Sequence, residues 1–133
     1  MTRRLSLAAL LVFCLAAVPA GAKVVKYKRF VSPSGMISCL AVKYGGKGVE
    51  CSASYIEEIG ELDTYYALEP HGRSRIGERG DFPGYPNSKQ HTLHYGDTYK
   101  RKGVRCTMRE SGLTCRNKDG HGFHLEKGNV RRF

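Results

Sequence analysis

After residue 22 the chain alternates apolar and polar residues, and the alternation is broken every few positions by glycine or proline. Three segments share one pattern of glycine, apolar residue, spacer and cysteine: Gly48-Val49-Glu50-Cys51, Gly103-Val104-Arg105-Cys106 and Gly112-Leu113-Thr114-Cys115. A fourth, Gly35-Met36-Ile37-Ser38-Cys39, carries one more residue after its glycine. Side chains of an extended chain alternate between faces, so each pattern reads as a strand leaving a turn with its cysteine on the apolar face. Two hairpins follow. Met36–Tyr44 pairs with Val49–Tyr55 around Gly45-Gly46-Lys47-Gly48, and Val104–Arg109 pairs with Leu113–Asn117. A two-residue loop at Glu110-Ser111 sets Met108 opposite Leu113 and Cys106 opposite Cys115. A one-residue slip would split that apolar set between two faces. In the first hairpin Ile37, Cys39 and Ala41 share a face with Val49, Cys51 and Ala53 in any even register. These faces favour the disulfides Cys39–Cys51 and Cys106–Cys115, with cross-links between the hairpins as the alternative.

The remaining segments supply further short strands. Val24–Val31 is β-branched and aromatic with interleaved lysines, a strand suited to a sheet edge. Ser32-Pro33-Ser34-Gly35 is a turn by composition. Tyr65–Glu69 and Arg73–Glu78 pair around Pro70-His71-Gly72, and Thr92–Tyr95 and Phe123–Glu126 are strands. Ile56–Leu62 permits a turn or two of helix, and Gly80–Ser88 is a loop. The pattern predicts an all-β fold, a small disulfide-stabilised sandwich or barrel built from two related hairpins.

Residues 1–22 break the pattern. Arg3 and Arg4 precede an apolar run, Leu5–Val18, and Ala20-Gly21-Ala22 is a small-x-small cleavage site, so the segment reads as a helical secretory leader. The run is too short to span a bilayer. The expectation is a mature single domain, residues 23–133, in the extracellular or cell-envelope space. Of five cysteines Cys14 leaves with the leader, and the four that stay, Cys39, Cys51, Cys106 and Cys115, suit two disulfides in an oxidising compartment. Their spacing lacks the close knuckles of a zinc site, so no metal is expected. With a mature core this thin, a multidomain enzyme and a membrane-embedded protein are excluded.

Phe30-x-Ser32-Pro33-Ser34-Gly35-x-Ile37-x-Cys39, Tyr95-Gly96, Gly112-Leu113-Thr114-Cys115-Arg116-Asn117 and Gly120-His121-Gly122-Phe123 together resemble a family of small exported bacterial proteins known only as a domain of unknown function. The resemblance covers both ends of the mature domain. In the middle this chain lacks the further cysteine pair and the tryptophan common in that family. The resemblance implies export, a disulfide-linked β core and the hairpin order, and it implies no activity.

Charge adds the one functional hint. Lys+Arg 22 against Asp+Glu 12 gives +10, and loss of Arg3 and Arg4 leaves +8. Basic and aromatic residues interleave at Lys26-Tyr27-Lys28-Arg29-Phe30 and Tyr99-Lys100-Arg101-Lys102, with Arg131-Arg132-Phe133 at the end. If the two halves pack together, Lys26, Lys28, Arg29, Lys100, Arg101 and Lys102 are candidates for one polyanion-binding face on a monomer. Catalytic signals are weak. His91-x-x-His94 and His121-x-x-His124 point to opposite faces if extended. His121, between two glycines, is the one catalytic candidate; its simpler reading is a ring that closes a turn. With Glu126 and Arg116 it suggests a phosphodiesterase-like hydrolase as an alternative. A second alternative is an enzyme inhibitor presenting Phe82–Pro86. No cofactor motif is present. The leading expectation is a non-catalytic binding or envelope-associated protein.

Overall fold

The computed structural model describes residues 22–42, 48–53, 63–80 and 91–133. The leader, most of the Gly45–Gly48 turn, Ile56–Leu62 and nearly all of the Gly80–Ser88 loop with Phe82–Pro86 lie outside the described residues. The described residues form twelve strands: β1 (Val24–Val25), β2 (Arg29–Val31), β3 (Ile37–Ala41), β4 (Val49–Ala53), β5 (Asp63–Leu68), β6 (Arg75–Arg79), β7 (His91–Thr92), β8 (Thr98–Arg101), β9 (Val104–Arg109), β10 (Gly112–Arg116), β11 (Gly122–Glu126) and β12 (Asn129–Arg132). They form two six-stranded sheets, β7-β2-β3-β4-β5-β6 and β1-β8-β9-β10-β11-β12, packed as a sandwich. We call these the N-terminal and C-terminal sheets.

Each sheet is an antiparallel meander of five strands joined in order, with one short parallel strand added beside its first member. The added strands are exchanged. β1 precedes the N-terminal meander yet pairs with β8, while β7 precedes the C-terminal meander yet pairs with β2. The expected strand Val24–Val31 is therefore two strands in different sheets. Val25 packs against the core from one sheet and Phe30 is buried from the other. The chain must cross between layers at 26–28 to satisfy both.

Corresponding strands carry the disulfides. Cys39 faces Cys51 across β3 and β4, and Cys106 faces Cys115 across β9 and β10, and both pairs are bonded. The register Met108↔Leu113 is the one that keeps every apolar residue of that hairpin inside. The turn before each second strand ends on glycine with positive φ, 73° at Gly35 and 94° at Gly103, a conformation that favours glycine. In the core the equivalent rings meet across the layers. Phe30 lies 4.8 Å from Tyr99, and Tyr66 lies 5.9 Å from Phe123, between centroids. Leu93, on the crossing segment after β7, is fully buried with them.

Three differences from the sequence reading have their causes in a turn and in strand pairing. The predicted strand Thr92–Tyr95 is a pair of strand residues, His91–Thr92, followed by a turn, because Asp97 accepts from the His94 amide at 3.2 Å and bends the chain. β8 and β12 were not predicted. Their sequences, TYKR and NVRR, are too polar to signal a strand; pairing with β9 and β11 makes them strands.

Candidate functional site

The cationic residues of the C-terminal sheet owe their direction to alternation. Tyr99, Cys106 and Cys115 point into the core, so Lys100, Arg105 and Arg116 point outward. Register then aligns them. Lys100 opposes Arg105 and Arg105 opposes Arg116, one strand spacing of ~4.8 Å at each step. Lys26 directly follows the Val25↔Tyr99 pair at the open edge and extends the row. The turn after β8 brings Lys102, and the turn after β10 brings Lys118. Together Lys26, Lys100, Arg101, Lys102, Arg105, Arg116 and Lys118 line a groove of about 480 Å³ whose lining includes no carboxylate.

Arg101 and Tyr99 form the inner wall. Arg101 has the inward parity of β8 but sits at the end of the sandwich, half-buried beside the Tyr99 hydroxyl. Burial pushes the Tyr99 phenol above its ordinary pKa, and the Arg101 guanidinium only partly holds it back. Neither the hydroxyl nor Arg101 Nε has a hydrogen-bond partner of good geometry among the described residues. At the far end Arg116 lies over the Phe133 ring at 4.7 Å and donates to the Gly120 carbonyl at 3.3 Å. Phe133 is held by reciprocal backbone bonds with Gly122, 2.9 and 3.1 Å.

The sequence candidates divide. Lys26, Lys100, Arg101 and Lys102 come together in the groove, whereas Lys28 and Arg29 belong to the approach to β2 and to β2 itself in the N-terminal sheet. Arg105 and Lys118 were missed as ligand-facing residues, and Arg116 was read only as part of the hydrolase alternative. Only the register of β8, β9 and β10 lines Arg105 and Arg116 up with Lys100.

His121 does not close its turn. Asn117 does: its Oδ1 accepts from the amides of Asp119 and His121, both at 3.0 Å. Its Nδ2 donates across to the carbonyls of Glu69 at 3.0 Å and Gly72 at 2.7 Å, tying the β10–β11 turn to the β5–β6 turn. Asp119 strengthens the tie, accepting from the Gly72 amide at 2.8 Å and lying 3.0 Å from His71 Nδ1. Those contacts, the Gly72 amide first and the His71 ring second, hold the Asp119 carboxyl below its ordinary pKa.

The three residues of the hydrolase reading are not gathered. Glu126 lies at the opposite end of β11 from His121, 3.6 Å from His124 Nε2, and Arg116 packs on Phe133. His124 is nearly buried, with Nε2 donating to the Ser111 carbonyl at 3.0 Å. That bond fixes the tautomer, so Nδ1 accepts from the Thr114 hydroxyl at 2.8 Å, and the ring couples β10 to β11. His91 is stacked on Tyr27 at 3.8 Å where the two crossing segments meet. No group of three metal-ligating side chains occurs among the described residues.

Fold and groove together define a disulfide-pinned, internally repeated β-sandwich with a cationic face. The chain belongs to a family of unknown function, DUF6636, whose family model matches residues 9–133. Searches of curated proteins and of solved structures give no match. The motifs that carried the resemblance are mostly fold determinants. Phe30, Ile37, Cys39, Leu113, Cys115 and Phe123 build the core, Ser32 accepts from the Ile37 amide at 3.0 Å, and Asn117 ties two turns. Among them Arg116 and Asn117 line the groove.

Proposed function

We propose that the protein is an exported, non-catalytic binding domain whose cationic groove takes an anionic polymer. The observation that carries this reading is the groove itself: seven Lys and Arg side chains and no carboxylate around about 480 Å³. Like charges gathered on one face repel one another, and an anionic ligand relieves that repulsion while releasing its counterions. The row Lys26–Lys100–Arg105–Arg116 crosses the strands, so an extended chain with repeated negative groups lies along it. Two disulfides are typical of proteins in oxidising compartments and support export, as does the leader pattern of residues 1–22.

The test is titration of the mature domain with linear polyphosphate between 50 mM and 300 mM salt. Binding should weaken steeply, each phosphate neutralised contributing roughly −0.7 to the slope of log K against log salt. A slope near zero would contradict the reading. Turnover of a phosphodiester probe, abolished by His121→Ala, would replace it with the hydrolase.

A further inference from the structure

Lys23 is the first residue after the Ala20-Gly21-Ala22 pattern, and its backbone nitrogen lies 3.1 Å from Asp97 Oδ1. Its carbonyl accepts from the Thr98 amide at 2.9 Å, so the residue is gripped at both ends just before β1. Asp97 is an unusual partner: a carboxylate only 8 % exposed, between β7 and β8. Its other oxygen takes the His94 amide, its own amide donates to the His94 carbonyl at 2.9 Å, and its carbonyl accepts from the Met108 amide at 3.1 Å. None of the ion pairs among the described residues involves it. A buried carboxylate facing only neutral amides is incompletely compensated.

We propose that removal of the leader between Ala22 and Lys23 supplies the missing charge. Hydrolysis by a leader peptidase consumes one water and breaks the Ala22–Lys23 peptide bond. Ala22 leaves with the new carboxylate, and the Lys23 nitrogen becomes an ammonium. That ammonium occupies the place of the amide and closes on Asp97 as an ion pair, fastening β1 to β8. Processing thereby completes the fold as well as releasing the chain. The pair also fixes the processing point, because a terminus one residue away moves the charge by about 3.4 Å. β1 is a two-residue edge strand and leads Lys26 into the groove, so its fastening bears on the groove too. The inference itself does not depend on what the groove binds.

The experiment compares the oxidised mature chain beginning at Lys23 with the same chain carrying an N-acetyl group placed on Lys23 by semisynthesis. Acetylation keeps the N–H donor and removes the charge. The free form should have a folding equilibrium constant roughly fivefold larger, the gain expected when a hydrogen bond becomes charge-assisted. Asp97→Asn should erase the difference. Equal stability of the two forms, or a difference that survives Asp97→Asn, would overturn the proposal. Because Asp97→Asn also alters the His94 turn, a second reading is taken on the unmutated protein. Acylation of the Lys23 α-amine should be severalfold slower than in a free peptide of residues 23–28, and equal rates would overturn the proposal. N-terminal sequencing of exported protein should begin at Lys23; any other terminus counts against it.

Discussion

Phe30 and Tyr99 hold equivalent places in the two sheets, each opposite the first cysteine of its own disulfide, and their rings meet 4.8 Å apart at a tilt of 41°. The contact joins the two halves of an internal repeat at its centre. The difference between the partners is one hydroxyl, and that hydroxyl is buried without a hydrogen bond of good geometry. Tyr99→Phe should therefore cost less than about 1 kcal/mol at pH 7, since it removes an unpaired polar group. The sign reverses in alkali. With its folded pKa raised, Tyr99 holds its proton after the unfolded chain has lost its own, so wild-type stability falls above pH 10. Urea unfolding at pH 7 and pH 10.5 should show Tyr99→Phe relatively stabilised at the higher pH.

The disulfides close loops of similar size, with sequence separations of 12 and 9. Replacing either pair by alanine should cost ~2–4 kcal/mol, by nearly equal amounts. Urea unfolding of the two double variants measures this. A large inequality would mean that one half of the repeat carries the fold.

Asn117→Ala removes four hydrogen bonds from a buried amide and should destabilise by about 3 kcal/mol. His121→Ala should stay within about 0.5 kcal/mol. Thermal unfolding of the two variants side by side distinguishes the residue that ties the turns from its more conspicuous neighbour.

Asp119 sets an acid limit on the same tie. Its folded pKa is lowered, so its contribution is present above the ordinary carboxylate pKa and is lost as pH falls through the depressed value. Asp119→Asn should flatten stability against pH below about pH 4. Unfolding midpoints from pH 2 to pH 6 check this.

Much of the fold was legible because burial penalises error. The register of Cys106 against Cys115 followed from five apolar residues that share a face only one way, and the disulfides followed from the register. What was not legible depended on pairing between strands and not on a segment's own residues. Nothing in Thr98–Arg101 or Asn129–Arg132 signals a strand until β9 and β11 offer their edges. Val24–Val31 reads as one strand because composition does not show that Val25 and Phe30 serve different layers. The groove was half legible for the same reason. Lys100, Arg101 and Lys102 are contiguous and visible, while Arg105 and Arg116 join them only through cross-strand register. The attention drawn by His121 came from its flanking glycines: Gly120 serves the turn that Asn117 organises, while Gly122 opens β11 where the Cys115 carbonyl leaves no room for a side chain.

The groove is tested most directly by two variants of equal charge eluted from a phosphate-rich matrix in a salt gradient. One carries glutamine at Lys26, Lys100, Lys102 and Arg105, which line the groove; the other carries it at the exposed Lys28, Arg29, Lys127 and Arg131, which do not. If the groove is the site, the first elutes at markedly lower salt than the second, which stays near the parent. Equal shifts would show that the matrix reads net charge alone and would contradict a built binding site.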